Sequence, residues 1–321
     1  MRFLLRALLA LREAEIDRDE LVGLVAPPGL REAMEFGGPD AADDAGDEPD
    51  DDPRTGGTVI AERSLDALQM FGLVKQHGRR VALDHAAARR WKNPADVSPR
   101  SLSDVLLELV LEMADPEVPI GESAGVADFV HALVYLHTAG HPLRPFDRFE
   151  SAVTTKGLAR RSFASLQLEA LGPDRDGWPV TNGVRWQSFR RWSSYLGLAR
   201  PAGATGLIPD ASTALARRLP ALAPGDYDVR EFVARCAAAV PILDGGALQF
   251  DYDPQVEGEH AVLSGGLSVS LLQLEADGLL TLDTPRSDTG GRTLRLRPDG
   301  TADRRVTTVV WERTPVRRSN W

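Results

Sequence analysis

Gln187, Arg190, Arg191 and Ser194 fall on one side of a helical wheel drawn through the stretch NGVRWQSFRRWSSYL, residues 182–196. These side-chain types read nucleic acid. Arginine pairs bidentately with guanine O6 and N7, and glutamine does the same with adenine N6 and N7. Arg185, in the first turn of the same helix, can reach a phosphate. Lys156, Arg160 and Arg161 cluster at a turn before a helix near Phe163, where a helix-turn-helix crosses the phosphate backbone. Each phosphate so neutralised contributes about -0.9 to the salt-dependence slope of duplex binding. The alternative is that Arg190 and Arg191 only solvate an amphipathic helix, since related helices also serve as protein adaptors.

The elements that must position these side chains follow from the spacing. Phe189, Trp192 and Leu196 recur at i, i+3 and i+7 and make the inward face. Trp186 flanks the exposed face. Gly197 stands where a helix end needs a left-handed residue. Leu198 and Ala199 resume as a strand, Pro201 to Gly206 turns it, and a second strand runs to Asp210. The same phrase occurs as LDALQMFGLVKQHGRRVAL from Leu65 and as LLQLEADGLLTLDTPRSDTGGRTLRL from Leu271. Each copy reads as helix, Gly-Leu, strand, polar turn, strand, the second half of a winged helix-turn-helix. The copies lie too far apart for a solenoid repeat.

Their outer faces differ. The first helix mixes Glu62, Arg63, Asp66 and Met70, a poor surface for phosphates, although Lys75, His77, Arg79 and Arg80 sit on or beside its hairpin tip. The third pairs an inner face of Leu267, Leu271 and Leu274 with Val269, Leu272, Gln273 and Ala276, flanked by Glu275 and Asp277. That surface suits a protein contact better than a major groove. Its hairpin is basic, with Arg286, Arg292, Arg295 and Arg297, and Arg304 to Trp311 reads as an added strand.

Most enzyme signatures are missing. No GxxxxGK[ST] loop, GxGxxG after a strand, HExxH or paired CxxC occurs, and the letters GxSxG occur once, from Gly121 through Ser123 to Gly125. His131, His137 and His141 lie on or near apolar helices, with no Cys, Asp or Glu to complete a metal set. Asp251, Asp253, Glu257 and Glu259 lie close together, as the paired carboxylates of Mg-dependent nucleases do, but no lysine follows at nuclease spacing. Cys236 lies on an apolar helix without a partner histidine and reads as structural. The expectation is a non-enzymatic protein with no cofactor, no metal and no small-molecule substrate.

Composition sets the frame. A chain of 321 residues that is 43% hydrophobic and 26% charged has room for two or three domains. One cysteine fits a reducing cytoplasm. Met1 to Leu11 is apolar but broken by Arg6 and gives no convincing secretory signal, and nothing approaches a membrane span. A net charge of -10 argues against a generic DNA coater, so local basic faces must carry any contact with nucleic acid. Residues 3–13 read as a helix. Asp17 caps a second through about Val25, and residues 29–36 suggest a short third. The acidic stretch of residues 38–57 then reads as a disordered loop, either a solvating insertion or a nucleic-acid mimic or autoinhibitory strand. Residues 147–171 supply the helices before the central copy, and Arg313 to Trp321 makes a loose basic tail. The fold expected is mainly α with small β-hairpin wings, as tandem winged helix-turn-helix modules at 1–98, 99–222 and 223–321.

The opening apolar helix, the phrase RDELVGLVAPP, the acidic loop and the phrase LDALQMFGLV together resemble the DpdG-like proteins. These are accessory proteins of bacterial clusters that place 7-deazaguanine derivatives in DNA and restrict unmodified foreign DNA. The resemblance covers most of the chain and transfers no catalytic residue. It implies a role in modification-dependent restriction or phage defence beside helicases and nucleases. The partners expected are double-stranded DNA and other subunits of a defence complex, with a protein adaptor or a transcriptional regulator as alternatives.

Overall fold

The computed structural model describes residues 1–11, 15–25, 56–114, 126–139, 180, 183–203, 206–249, 262–284, 291–295 and 302–312. The expected helix at 29–36, most of the acidic stretch, the helices at 147–171, the carboxylates Asp251 to Glu259 and the basic tail lie outside them. The chain divides into two compact units, Met1–Leu106 and Leu107–Trp321. It is mostly helical with small antiparallel sheets.

The first unit opens with α1 (Arg2–Ala10), β1 (Ile16–Asp17) and α2 (Arg18–Val25). Asp17 Oδ1 accepts from the backbone of Asp19 at 2.9 Å and Glu20 at 3.4 Å, the cap expected of it. Then come α3 (Gly56–Met70), β2 (Val74–His77), β3 (Arg80–Leu83) and α4 (His85–Arg90). Helix α3 starts at Gly56, so the last residues of the expected loop are helical. β3 is the middle strand, pairing Ile16 of β1 with Val81 and Val74 of β2 with Leu83. Leu4, Leu5, Leu8, Leu21, Leu65, Leu68 and Val81 are buried. α5 (Pro99–Glu112) runs across the division.

The second unit holds α6 (Val126–Ala139), α7 (Gly183–Tyr195), the hairpin β4 (Ala199–Ala202) and β5 (Gly206–Pro209), and α8 (Ser212–Arg218). After these come β6 (Gly225–Asp228), α9 (Val229–Ala239), α10 (Gly265–Ala276), β7 (Leu280–Asp283), β8 (Arg292–Arg295), β9 (Ala302–Val306) and β10 (Thr308–Trp311).

The three repeated phrases end their helices identically. Gly72, Gly197 and Gly278 have φ of 66°, 76° and 72°. In each, the glycine N–H donates three residues back and the following leucine N–H five residues back: Leu73 to Leu68, Leu198 to Ser193 and Leu279 to Leu274, all at 2.9 Å. This is the Schellman closure, which satisfies carbonyls a helix end would otherwise orphan.

The third hairpin departs from the sequence reading. β7 pairs not with β8 but with β10, Leu280 against Trp311 and Asp283 against Thr308. β8 pairs with β9, Arg292 against Val306. Hence β7 and β8 follow one another along residues 302–311, and β6 joins the far side of β10. The strand read as an addition is the true partner. Its apolar alternation at Val309 and Trp311, both buried, meets that of Leu280 and Leu282.

Helix α10 is also more enclosed than its wheel suggests. Gly265 through Leu271 and Leu274 are all buried, against α6, α8 and β5 of the same unit. A Cβ at Gly266 would overlap the His137 ring of α6. Ser270 Oγ accepts from the Ala211 backbone at 2.8 Å. Val269, read as part of a partner-facing side, is taken up within the unit. Glycine and serine form that second packing face, and a count of hydrophobic residues misses it.

Candidate nucleic-acid interface

Helix α7 is held by Trp186, Phe189, Ser193 and Leu196, which are 2, 3, 0 and 0% exposed. Phe189 meets Phe129 of α6 edge-on at 5.6 Å and Trp186 at 5.9 Å. Trp186 is therefore core, whereas Trp192 is half-buried and meets Tyr195 edge-on at 6.1 Å. The inward face is rotated from the one drawn on the wheel. Small Ser193 occupies its middle, where its hydroxyl donates to the Arg190 carbonyl at 3.3 Å.

The rotation sorts the expected contact residues. Gln187 and Arg191 are exposed, Arg185 is exposed in the first turn, and Arg190 is half-buried on the flank. Ser194 is half-buried, and its hydroxyl oxygen is covered without a hydrogen-bond partner, so it is not presented to solvent. Ser188 and Tyr195 are exposed instead. The i, i+4, i+8 series Gln187, Arg191, Tyr195 was the signal for the outward stripe. Lys156, Arg160 and Arg161 lie outside the described residues.

Electrostatics separate this helix from its two counterparts. α7 carries Arg185, Arg190 and Arg191 and no carboxylate. Among the described residues no partner pairs with the Arg190 or Arg191 guanidinium. The hairpin cations of the first unit are compensated: Lys75 by Asp84 at 2.6 Å, Arg79 by Asp19 at 3.5 Å and Arg80 by Glu15 at 4.0 Å. Arg18 pairs with Asp66 on α3 at 2.7 Å. In the third copy Arg304 binds Glu275 of α10, and Arg286 and Arg297 lie outside the described residues. Beside α7, Arg200 is held by Asp210 at 3.1 Å and by Gln273 at 2.8 Å.

The buried titratable groups serve packing. His137 Nε2 lies 2.8 Å from the Leu198 carbonyl, just past the Gly197 turn. Burial lowers its pKa to about 4, against smaller upward pulls from that carbonyl and from Asp210. The ring is thus neutral, with Nε2–H donating. The Cys236 thiol is buried and its pKa is pushed far up, first by burial and then by Asp244, which removes it as a nucleophile. Among the described residues no three His, Cys, Asp or Glu side chains are grouped to hold a metal.

A model of the DpdG-like family matches residues 1–289. The chain belongs to the DpdG-like family. No curated protein and no solved structure matched it. In this DpdG-like chain the described part of the first phrase that carried the resemblance forms α2 and the second forms the α3–Gly72–β2 corner, where Val22 and Ala61 share a buried cluster. Among the described residues of this DpdG-like chain, no helix is long and apolar enough to cross a membrane.

Proposed function

We propose that the chain is a non-enzymatic DNA-binding and scaffolding subunit of a bacterial modification-dependent restriction or phage-defence system, and that α7 is its DNA contact. Family membership supports the association with 7-deazaguanine modification and with other proteins of that system. The observation that carries the DNA reading is α7 itself: exposed Gln187 and Arg191, flanking Arg190, and no carboxylate on the helix.

Topology supports reading the first and third copies as winged helices. That fold needs helix, strand, helix, helix, strand, strand, with the last strand in the middle of the sheet. α1-β1-α2-α3-β2-β3 follows that order, and α8-β6-α9-α10-β7-β10 follows it with β8 and β9 inserted before the last strand. On this reading α7 enters the major groove and the β4–β5 turn approaches the backbone.

The test is a mobility shift with duplex DNA at low and high salt. Wild-type chain binds at low salt, and R190E/R191E does not. Wild-type affinity in a folded double variant places the contact elsewhere. Exposed Ile60 and Met70 on α3 favour a second reading, a protein adaptor. Failure of the wild type to bind duplex at any salt selects it.

A further inference from the structure

Among the described residues of the first unit, unpaired positive charge is concentrated away from the hairpin. Arg63 stands alone beside Glu62 on α3. The other unpaired cations outside α1, Arg89, Lys92 and Arg100, all lie between the end of α4 and the start of α5, and all are exposed. Arg90, also exposed, already has a partner. Residues 85–101 hold these four cations and one carboxylate, Asp96, giving a local charge of +3 in a chain of net charge -10.

The segment is fixed. Trp91 is 3% exposed and Val97 fully buried, so the backbone is anchored on both sides of Lys92. The Val97 carbonyl accepts from Arg6 Nε at 3.1 Å. Asp96 Oδ2 accepts from the Asn93 backbone at 2.9 Å, which spends the only carboxylate on a cap. The Ser98 and Ser101 hydroxyls close the start of α5. Cations on a preorganised backbone lose less entropy on binding than cations on a loose loop.

We infer that Arg89, Lys92 and Arg100 form a second polyanion contact, one that takes the sugar–phosphate backbone of DNA. It rests on the reading of the chain as a DNA-binding protein, but not on α7. Nucleic acid is favoured over an acidic protein because protein interfaces have an apolar core. Here the large apolar side chains of the segment, Trp91 and Val97, are both buried. Phosphate contacts need only the charges, carry no sequence information and fix register on the duplex.

The experiment measures duplex affinity of the full chain against salt, by anisotropy of a labelled mixed-sequence duplex. R89E/K92E/R100E is expected to bind at least tenfold more weakly at low salt. The neutral R89Q/K92Q/R100Q should lower the salt slope by about 2 to 3, near 0.9 per lost phosphate contact. Wild-type affinity and slope in both triple variants, each folded by circular dichroism, overturn the inference while leaving α7 standing. Loss in the triple variants with full binding by R190E/R191E keeps this contact and removes α7. A wild-type chain that binds no duplex removes both, and an acidic protein that binds the wild type alone becomes the occupant.

Discussion

A methyl group distinguishes two glycines that do the same conformational work. Gly72 and Gly197 both sit at positive φ after their helices. A Cβ on Gly72 meets nothing within 4 Å, whereas one on Gly197 would lie 2.9 Å from Thr213 Cγ2 and 3.2 Å from the Ala214 nitrogen. Gly72→Ala therefore costs the left-handed penalty alone, about 1–2 kcal/mol. Gly197→Ala adds overpacking of about 1–3 kcal/mol. Urea midpoints of the two variants should differ in that order, and equal midpoints would mean that α8 yields freely. His137 makes a second prediction at this scale. Its folded pKa of about 4 lies below the ordinary histidine value of 6.5. Above about pH 6.5 the ring is neutral folded or unfolded and leaves stability unaffected. As the pH falls toward 4 the unfolded chain takes up a proton that the folded chain refuses, costing about 3 kcal/mol. The His137 ring resonance should stay in its neutral position down to about pH 5. A midpoint near 6.5 would put the ring in solvent.

At the scale of elements, α7 is a strip of alternatives that one substitution separates. Arg191→Gln removes one charge from the outward face without touching Trp186 or Phe189. The salt slope of duplex binding should fall by about 1, with melting temperature unchanged. A lower melting temperature with the slope intact would make Arg191 structural. The local elements were legible in the sequence because their determinants are local: a helix, a glycine that alone accepts φ near 70°, a leucine to close the turn. The outward face of α7 was legible only in part. A wheel weights hydrophobicity, so it chose Trp192 over Ser193 and offered Ser194 as a contact. Packing against Phe129 of α6 decides the rotation, and Phe129 lies sixty residues away from Phe189. The third hairpin failed for the same reason. Residues 285–290 look like a turn, but the partner of β7 lies beyond two further strands, and no local spacing encodes that pairing.

In the second unit the second and third copies share a core. α10 belongs by sequence to the third, yet it packs on α6 and β5, and its Gln273 accepts from Arg200 at 2.8 Å on β4. Its Leu271 is fully buried. Leu271→Ala removes three carbons from this junction and should cost about 2–5 kcal/mol, depending on how far α10 can settle. If the junction is one cooperative core, the loss is felt on both sides of it. Amide exchange at Leu207 and Ile208 in β5 should then accelerate by the same factor as at Leu282 in β7 and Val309 in β10. A helix that served only its own sheet would lower protection in β7 and β10 and leave β5 as it was. Acceleration confined to β7 and β10 would therefore separate the two copies into independent folding units. Equal acceleration means that α7 is presented by a scaffold that includes the third copy, and that the buried face of α10 stabilises α7.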